Sequence, residues 1–303
     1  MTQQRLALLY GLLAVLCWST VASAFKLSLR YLTPAELLFY AALVSLIILF
    51  IILLIQGKAG QLKRVKRSAL LTSFGLGFIN PFLYYLVLFK AYDLLPAQQA
   101  QPINYTWAIT LTLLSIPLLK QKISLRELLA VAVSYAGVVV ISTRGDLLAM
   151  QFDSPLGVGL ALLSTLFWAL YWIYNTRSQC DPVVGLFLNF LFGLPLVGLY
   201  LLLTEGFRMP PLSGLLGAGY VGLFEMGITF VLWLKALKLS VNTARIANLI
   251  FISPFLSLVF IRFLVGEEIL PATFIGLVLI VAGLVLQQTG RPGGAQERVD
   301  GQA

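Results

Sequence analysis

Apolar runs about twenty residues long recur along almost the whole chain. Crossing the roughly 30 Å hydrocarbon core of a bilayer as a helix takes about 20 such residues. Ten runs qualify, at about 6–25, 34–55, 68–90, 97–119, 125–143, 156–175, 182–203, 212–234, 241–263 and 269–288. They do not alternate, and they exceed the roughly 9–11 residues of a membrane strand. With no water in lipid to satisfy backbone N–H and C=O groups, helices remain. Turn-forming residues separate the runs, as in Gly57-Lys58-Ala59-Gly60, Arg144-Gly145-Asp146 and Met209-Pro210-Pro211. The sequence thus predicts an all-α membrane protein of ten transmembrane helices, with a polar, Gly- and Pro-containing tail at 290–303 expected to be disordered and cytoplasmic.

Composition agrees. Of 303 residues, 59% are apolar and 11% charged, against about 25% charged in soluble domains. A soluble chain this poor in charge could not cover its apolar surface. The net charge of +9 then reads as topology. With the N-terminus inside, inner segments hold Arg5, Lys58, Lys63, Arg64, Lys66, Arg67, Lys120, Lys122, Arg126, Arg177, Lys235, Lys238, Arg291 and Arg298. Outer segments hold only Lys26, Arg30, Lys90, Arg144, Arg208 and Arg262. This bias places both termini in the cytoplasm, and the basic excess needs no nucleic-acid partner. Arg5 followed by an apolar run and Ala22-Ser23-Ala24 resembles a cleavable signal peptide; we read it as the first span, because an internal repeat requires it.

That repeat pairs five spans with five. Trp18 in span one matches Trp168 in span six. Lys90-Ala91-Tyr92 at the end of span three matches Lys235-Ala236-Leu237 at the end of span eight. Ala136-Gly137-Val138 in span five matches Ala282-Gly283-Leu284 in span ten. An odd number of spans per half inverts the second repeat, an architecture secondary transporters use for alternating access. The expected units are 1–146 and 147–289. Small residues four apart, Ala130 and Ser134, Ala272 and Gly276, suit close helix packing in spans five and ten, within the chain or in a homodimer.

The Trp18 segment, the Lys90-Ala91-Tyr92 and Lys235-Ala236-Leu237 segments, and the Gly266-Glu267-Glu268 turn before span ten carry a resemblance over about residues 5–289. The chain resembles EamA-type carriers of the drug/metabolite transporter superfamily. The resemblance implies ten helices, cytoplasmic termini, and export or exchange of small metabolites such as amino acids across a bacterial cytoplasmic membrane. Two positions depart from it. The first half has Gln121-Lys122 where the second has Glu267-Glu268, and Ala41 stands near where many relatives carry arginine.

Few polar groups fall at mid-depth, and an ionisable one there is by default a functional candidate. Glu225 lies in the middle of span eight, and the repeat places Asn80 at the same depth in span three. Glu225 is read as a proton-coupling carboxylate or an anchor for a substrate ammonium; a structural pair is the plain alternative. Arg245, with Asn248 three residues on, could fork a substrate carboxylate, or it could snorkel to the interface. Span four contains Gln98, Gln99, Gln101, Asn104 and Tyr105 around Pro102, with Gln101, Asn104 and Tyr105 on one helical face. Asn80-Pro81, with Tyr84 one turn on, is a second interruption. Broken helices in corresponding halves point to a midplane site, whereas each amide alone suits interhelical hydrogen bonding. Trp18 and Trp168 are candidate cavity walls, while Tyr171, Trp172 and Tyr174 fit an interfacial aromatic belt.

The candidate substrate-binding set is therefore Glu225, Arg245, Asn248, Gln101, Asn104, Tyr105, Trp168, Tyr84, Trp18 and Asn80. No metal or cofactor is expected. The chain has no histidine, and Cys17 and Cys180 show no metal-ligand spacing. Competing classes are a lipid-acting membrane enzyme, for which the acids are too scattered, and a channel, which wants a repeated polar filter that is not visible.

Overall fold

The structure is a computed structural model that describes residues 3–119, 124–148, 152–175, 178, 180–239 and 248–288. All regular structure among these residues is helical. The helices are α1 Gln3–Ser28, α2 Pro34–Ile55, α3 Arg67–Gly77, α4 Tyr84–Leu94, α5 Ala97–Asn104, α6 Trp107–Leu119, α7 Leu125–Ser142, α8 Pro155–Asn175, α9 Pro182–Thr204, α10 Leu212–Tyr220, α11 Ile228–Leu239, α12 Ser253–Phe260 and α13 Pro271–Gln288. Seven runs are long and apolar enough to cross a membrane: α1, α2, α3 with α4, α7, α8, α9, and α10 with α11. Shorter apolar runs cover Leu249–Val265 and Pro271–Gln287. The expected fourth span is divided, because the helix stops at Asn104 and restarts at Trp107. Arg245 and the 290–303 tail lie outside the described residues.

Local chemistry explains where the helices start. Thr33 caps α2 in a reciprocal box with Glu36, and Pro34 supplies the first turn. Ser124 and Glu127 do the same for α7. Asp181 caps α9 through the Val183 and Val184 N–H groups, again followed by a proline. Helix α1 runs unbroken past Ala22-Ser23-Ala24, all three part of its buried or half-buried face.

Small residues set the closest packing. α7 lies on α13, where a side chain on Gly137 would meet the Gly276 carbonyl and one on Gly283 would meet Ser134. The Ser134 hydroxyl donates to the Ile280 carbonyl at 3.3 Å. These small-residue faces therefore pack on each other within the chain. α3 crosses α9 in the same way at Gly77 and Gly193. Apolar side chains facing outward, such as Ile55, Leu71, Leu203 and Phe263, belong in lipid.

Two further runs break in the middle, each at a π turn. Between α3 and α4 the chain makes a wide π turn over Phe78–Leu83, with Asn80 in an extended conformation (φ −141°, ψ 116°). Between α10 and α11 a second π turn covers Val221–Glu225. Such turns widen the backbone spiral and free groups from the helical ladder.

Candidate functional site

Glu225 ends the second π turn, near the centre of the apolar run Leu212–Leu237. Its side chain is buried. The Tyr85 hydroxyl donates to Glu225 Oε1 at 3.1 Å. Tyr84, Tyr92 and Tyr105 also lie close enough to feel its charge. Among the described residues no lysine or arginine is seen paired with it; ion pairs such as Lys58–Asp181, Lys90–Asp93, Arg144–Asp153 and Arg262–Glu268 lie at helix ends or connections.

An aromatic cluster adjoins the carboxylate. Tyr84 packs edge-on against Tyr85 at 4.7 Å between ring centres and against Trp168 at 4.5 Å. Trp168 also meets Trp107, Tyr171, Trp172 and Phe230. Trp18 touches Phe230 at 5.9 Å and Trp233 at 5.4 Å, so Trp18 and Trp168 share Phe230 as a neighbour. Aromatic faces of this kind accept apolar or cationic groups.

The polar residues of the fourth span separate. Asn104 Oδ1 faces the Tyr84 hydroxyl at 3.5 Å, and its Nδ2 donates to Ser164 at 2.9 Å. Tyr105, where α5 ends, turns instead to Ser253, which accepts from Ser19 at 3.3 Å. Gln101 is buried with its side-chain oxygen unpartnered. Gln98 and Gln99 line no site. Gln98 bridges the Glu268 carbonyl, the Leu270 N–H and Thr273, and Gln99 donates to Asp153. Glu267 accepts from the Ala97 and Gln98 N–H groups at 2.7 and 3.0 Å, capping the start of α5. These residues fasten one end of the bundle.

Asn80 lies in the other break, fully buried, and contacts Tyr171. Tyr171 is not part of an interfacial belt: it is buried and accepts from Asn189 Nδ2 at 3.1 Å. Tyr174 is exposed. Sequence reasoning missed Tyr85, Asn189, Ser164 and Ser253. Tyr85 adjoins a chosen tyrosine, and Asn189 is the lone amide in an apolar span. Asn248 begins a short 3-10 turn, Asn248–Ile252.

A cavity of about 800 Å³ opens elsewhere, at the α1–α2 and α9–α10 connections, with Arg30, Lys90, Arg208, Glu36, Asp93 and Glu205 on its walls. Several of these groups satisfy one another. Lys90 pairs with Asp93, and Thr33 donates to Glu205 at 2.5 Å. It contains none of the expected site residues.

Comparison with known proteins agrees with this architecture. The model of the EamA-like transporter family matches residues 5–143 and again 155–287. An uncharacterized transporter of Archaeoglobus fulgidus is 25% identical over 90% of this chain and 95% of its own length. The uncharacterized inner membrane transporter YedA of Escherichia coli is 24% identical over 54% of this chain and 53% of its own. A crystal structure 23% identical in sequence superposes with a TM-score of 0.65 over 93% of this chain and 97% of that one, a likeness of fold. The chain belongs to the EamA-like transporter family and is a multi-pass integral membrane protein.

Proposed function

We propose that this family member is a secondary transporter that exports or exchanges amino acids or related small metabolites by alternating access. In this reading ten spans form two inverted repeats, 1–146 and 147–289, with both termini in the cytoplasm. Support for the repeat comes from the two successive family matches. It comes also from the two broken helices: Leu212 follows Arg67 by the same interval that separates Glu225 from Asn80. The proposed substrate path runs between the breaks, past Tyr84, Trp168, Trp18, Asn104, Tyr105 and Gln101, with Asn80 at its edge. Arg245 and Asn248 complete the set as candidates for a substrate carboxylate.

The observation that carries the reading is Glu225: a buried carboxylate at the centre of an apolar run, held by a phenol, beside a wall of aromatic rings. Facing lipid there would cost about 2.5 kcal/mol or more, whereas a carboxylate that binds and releases a proton or a substrate ammonium justifies the position. Names of the relatives favour a carrier over an enzyme. Substrate flux into proteoliposomes under an imposed pH gradient tests it. Saturable uptake that loses its pH dependence in Glu225→Gln is expected; unchanged coupling in that variant would remove Glu225 from the mechanism.

A further inference from the structure

The first break contains a polar group of its own. Asn189 on α9 donates its Nδ2 to the Tyr171 hydroxyl at 3.1 Å, and Asn80, in the break itself, lies beside the same hydroxyl. All three residues are at least 98% buried. The amide oxygens of both asparagines have no hydrogen-bond partner among the described residues. Buried polar atoms are almost always satisfied, and an exception calls for a ligand or a function. Both side chains adjoin one phenol, so a single occupant at this level is the simplest way to satisfy both oxygens.

The chemistry restricts that occupant. The unpartnered atoms are oxygens, which attract a cation or a donor and repel an anion. None of the three side chains is a carboxylate, and oxygen sites for divalent ions are typically built on carboxylates. Space is small. A side chain on Gly193 would strike the Pro81 ring and the Gly77 carbonyl, and one on Gly77 would strike the Asn189 carbonyl, so α3 and α9 are in contact at this level. Pro81 has no N–H, leaving a carbonyl of the preceding turn without its usual donor. The C-terminal, electronegative end of α3 also faces the break. Carbonyls of interrupted helices and helix C-termini are suited to coordinating Na⁺ at mid-membrane.

We infer that Asn80, Tyr171 and Asn189 form a binding site for a dehydrated monovalent cation of the size of Na⁺. It lies beside the proposed substrate path, because Tyr171 stacks on Trp168 at 5.9 Å, and it is separate from Glu225, which sits in the opposite break.

Thermal unfolding of the purified, detergent-solubilised protein tests the site without requiring transport. NaCl is titrated against choline chloride at constant ionic strength. Na⁺ should raise the midpoint saturably; at ten times its dissociation constant it shifts the folding equilibrium by about elevenfold. Asn189→Leu should abolish the Na⁺-specific shift. Tyr171→Phe, which keeps the ring, should weaken Na⁺ binding several-fold and serves if the first variant does not fold. Equal midpoints in Na⁺ and choline would overturn the inference and assign the oxygens to buried water. An undiminished Na⁺ response in a folded variant would also overturn it. A Na⁺ shift in a protein that moves no substrate would sink the transport reading and leave this site standing.

Discussion

The broken helices Arg67–Leu94 and Leu212–Leu237 share a backbone device and differ in its contents. Each opens into a π turn at the middle of an apolar run. In the first, Asn80 contributes a neutral amide, and Pro81 removes a backbone donor. In the second, Glu225 contributes a charge, no proline is present, and Gly222 and Gly227 flank it. Gly222 lets α2 approach, since a side chain there would meet the Ala41 carbonyl and Val44. Both breaks widen into a π turn, but only the first also carries an extended residue, Asn80, next to a proline without an N–H. The two breaks thus share a π turn and differ in the chemistry at its centre.

The largest expected effect separates the two breaks by charge. Glu225→Gln keeps size and the Tyr85 contact but removes the charge. If the carboxylate is retained for coupling against a burial cost of about 2.5 kcal/mol or more, pH-driven accumulation should fall roughly ten- to hundredfold. The thermal midpoint should stay level or rise, because a buried charge with no cation partner among the described residues is lost. A large drop in midpoint with coupling intact would make Glu225 a structural group and erase the contrast with Asn80.

Next in size is the packing that holds the first break against α9. Gly193→Ala would drive a methyl into the Pro81 ring and the Gly77 carbonyl, an overpacking expected to cost about 1–3 kcal/mol. Gly75→Ala, two residues before Gly77 with open space around it, should be neutral or stabilise by up to about 1 kcal/mol through helix propensity. Chemical denaturation of both variants in the same detergent measures the difference. Equal stability would mean that α3 and α9 do not depend on this close approach. A smaller effect is expected from Tyr85→Phe, which removes the hydroxyl that donates to Glu225. A net hydrogen bond contributes about 0.5–1.5 kcal/mol, so flux should fall about two- to tenfold, and Asn80→Ala should not reproduce its pH profile.

How much of this is readable from sequence differs between the breaks for a physical reason. Pro81 announces the first, because a missing N–H is a property of the residue itself. The second depends on Gly222 meeting α2, a tertiary contact that leaves only two glycines as a trace. Glu225 was legible, since charge is rare in such runs. Its partner Tyr85 was not, because a tyrosine in an apolar run reads equally as core. Tyr171 read as an interfacial ring and is buried, since its place is decided by Asn189 on a neighbouring helix. Gln98 and Gln99 stand in the same polar run as Gln101 and Asn104, yet they hold a turn and a carboxylate at the bundle end. Periodicity reports the run, and the partner across the interface decides the role.

The smallest predicted effect comes from an acid that, unlike Glu225 among the described residues, is paired with a cation. Asp181 caps α9 and pairs with Lys58 at 2.6 Å. Burial pushes its carboxyl up, but the Lys58 hydrogen bond and charge, with the Val183 and Val184 N–H groups, outweigh that and hold it below the usual carboxylate range. A carboxyl whose pKa is lowered by folding stabilises fully above its unfolded value of about 3.9, and that contribution is lost as pH falls through the lower folded value. Asp181→Asn should therefore cost about 0.5–1 kcal/mol near neutral pH, given a partly exposed pair and a cap that asparagine largely replaces. The gap between variant and parent midpoints should close as pH drops below about 4. A gap that persists unchanged at acid pH would mean that the loss is one of packing, and that an ion-paired acid at a helix start is no calibration for the carboxylate at mid-membrane.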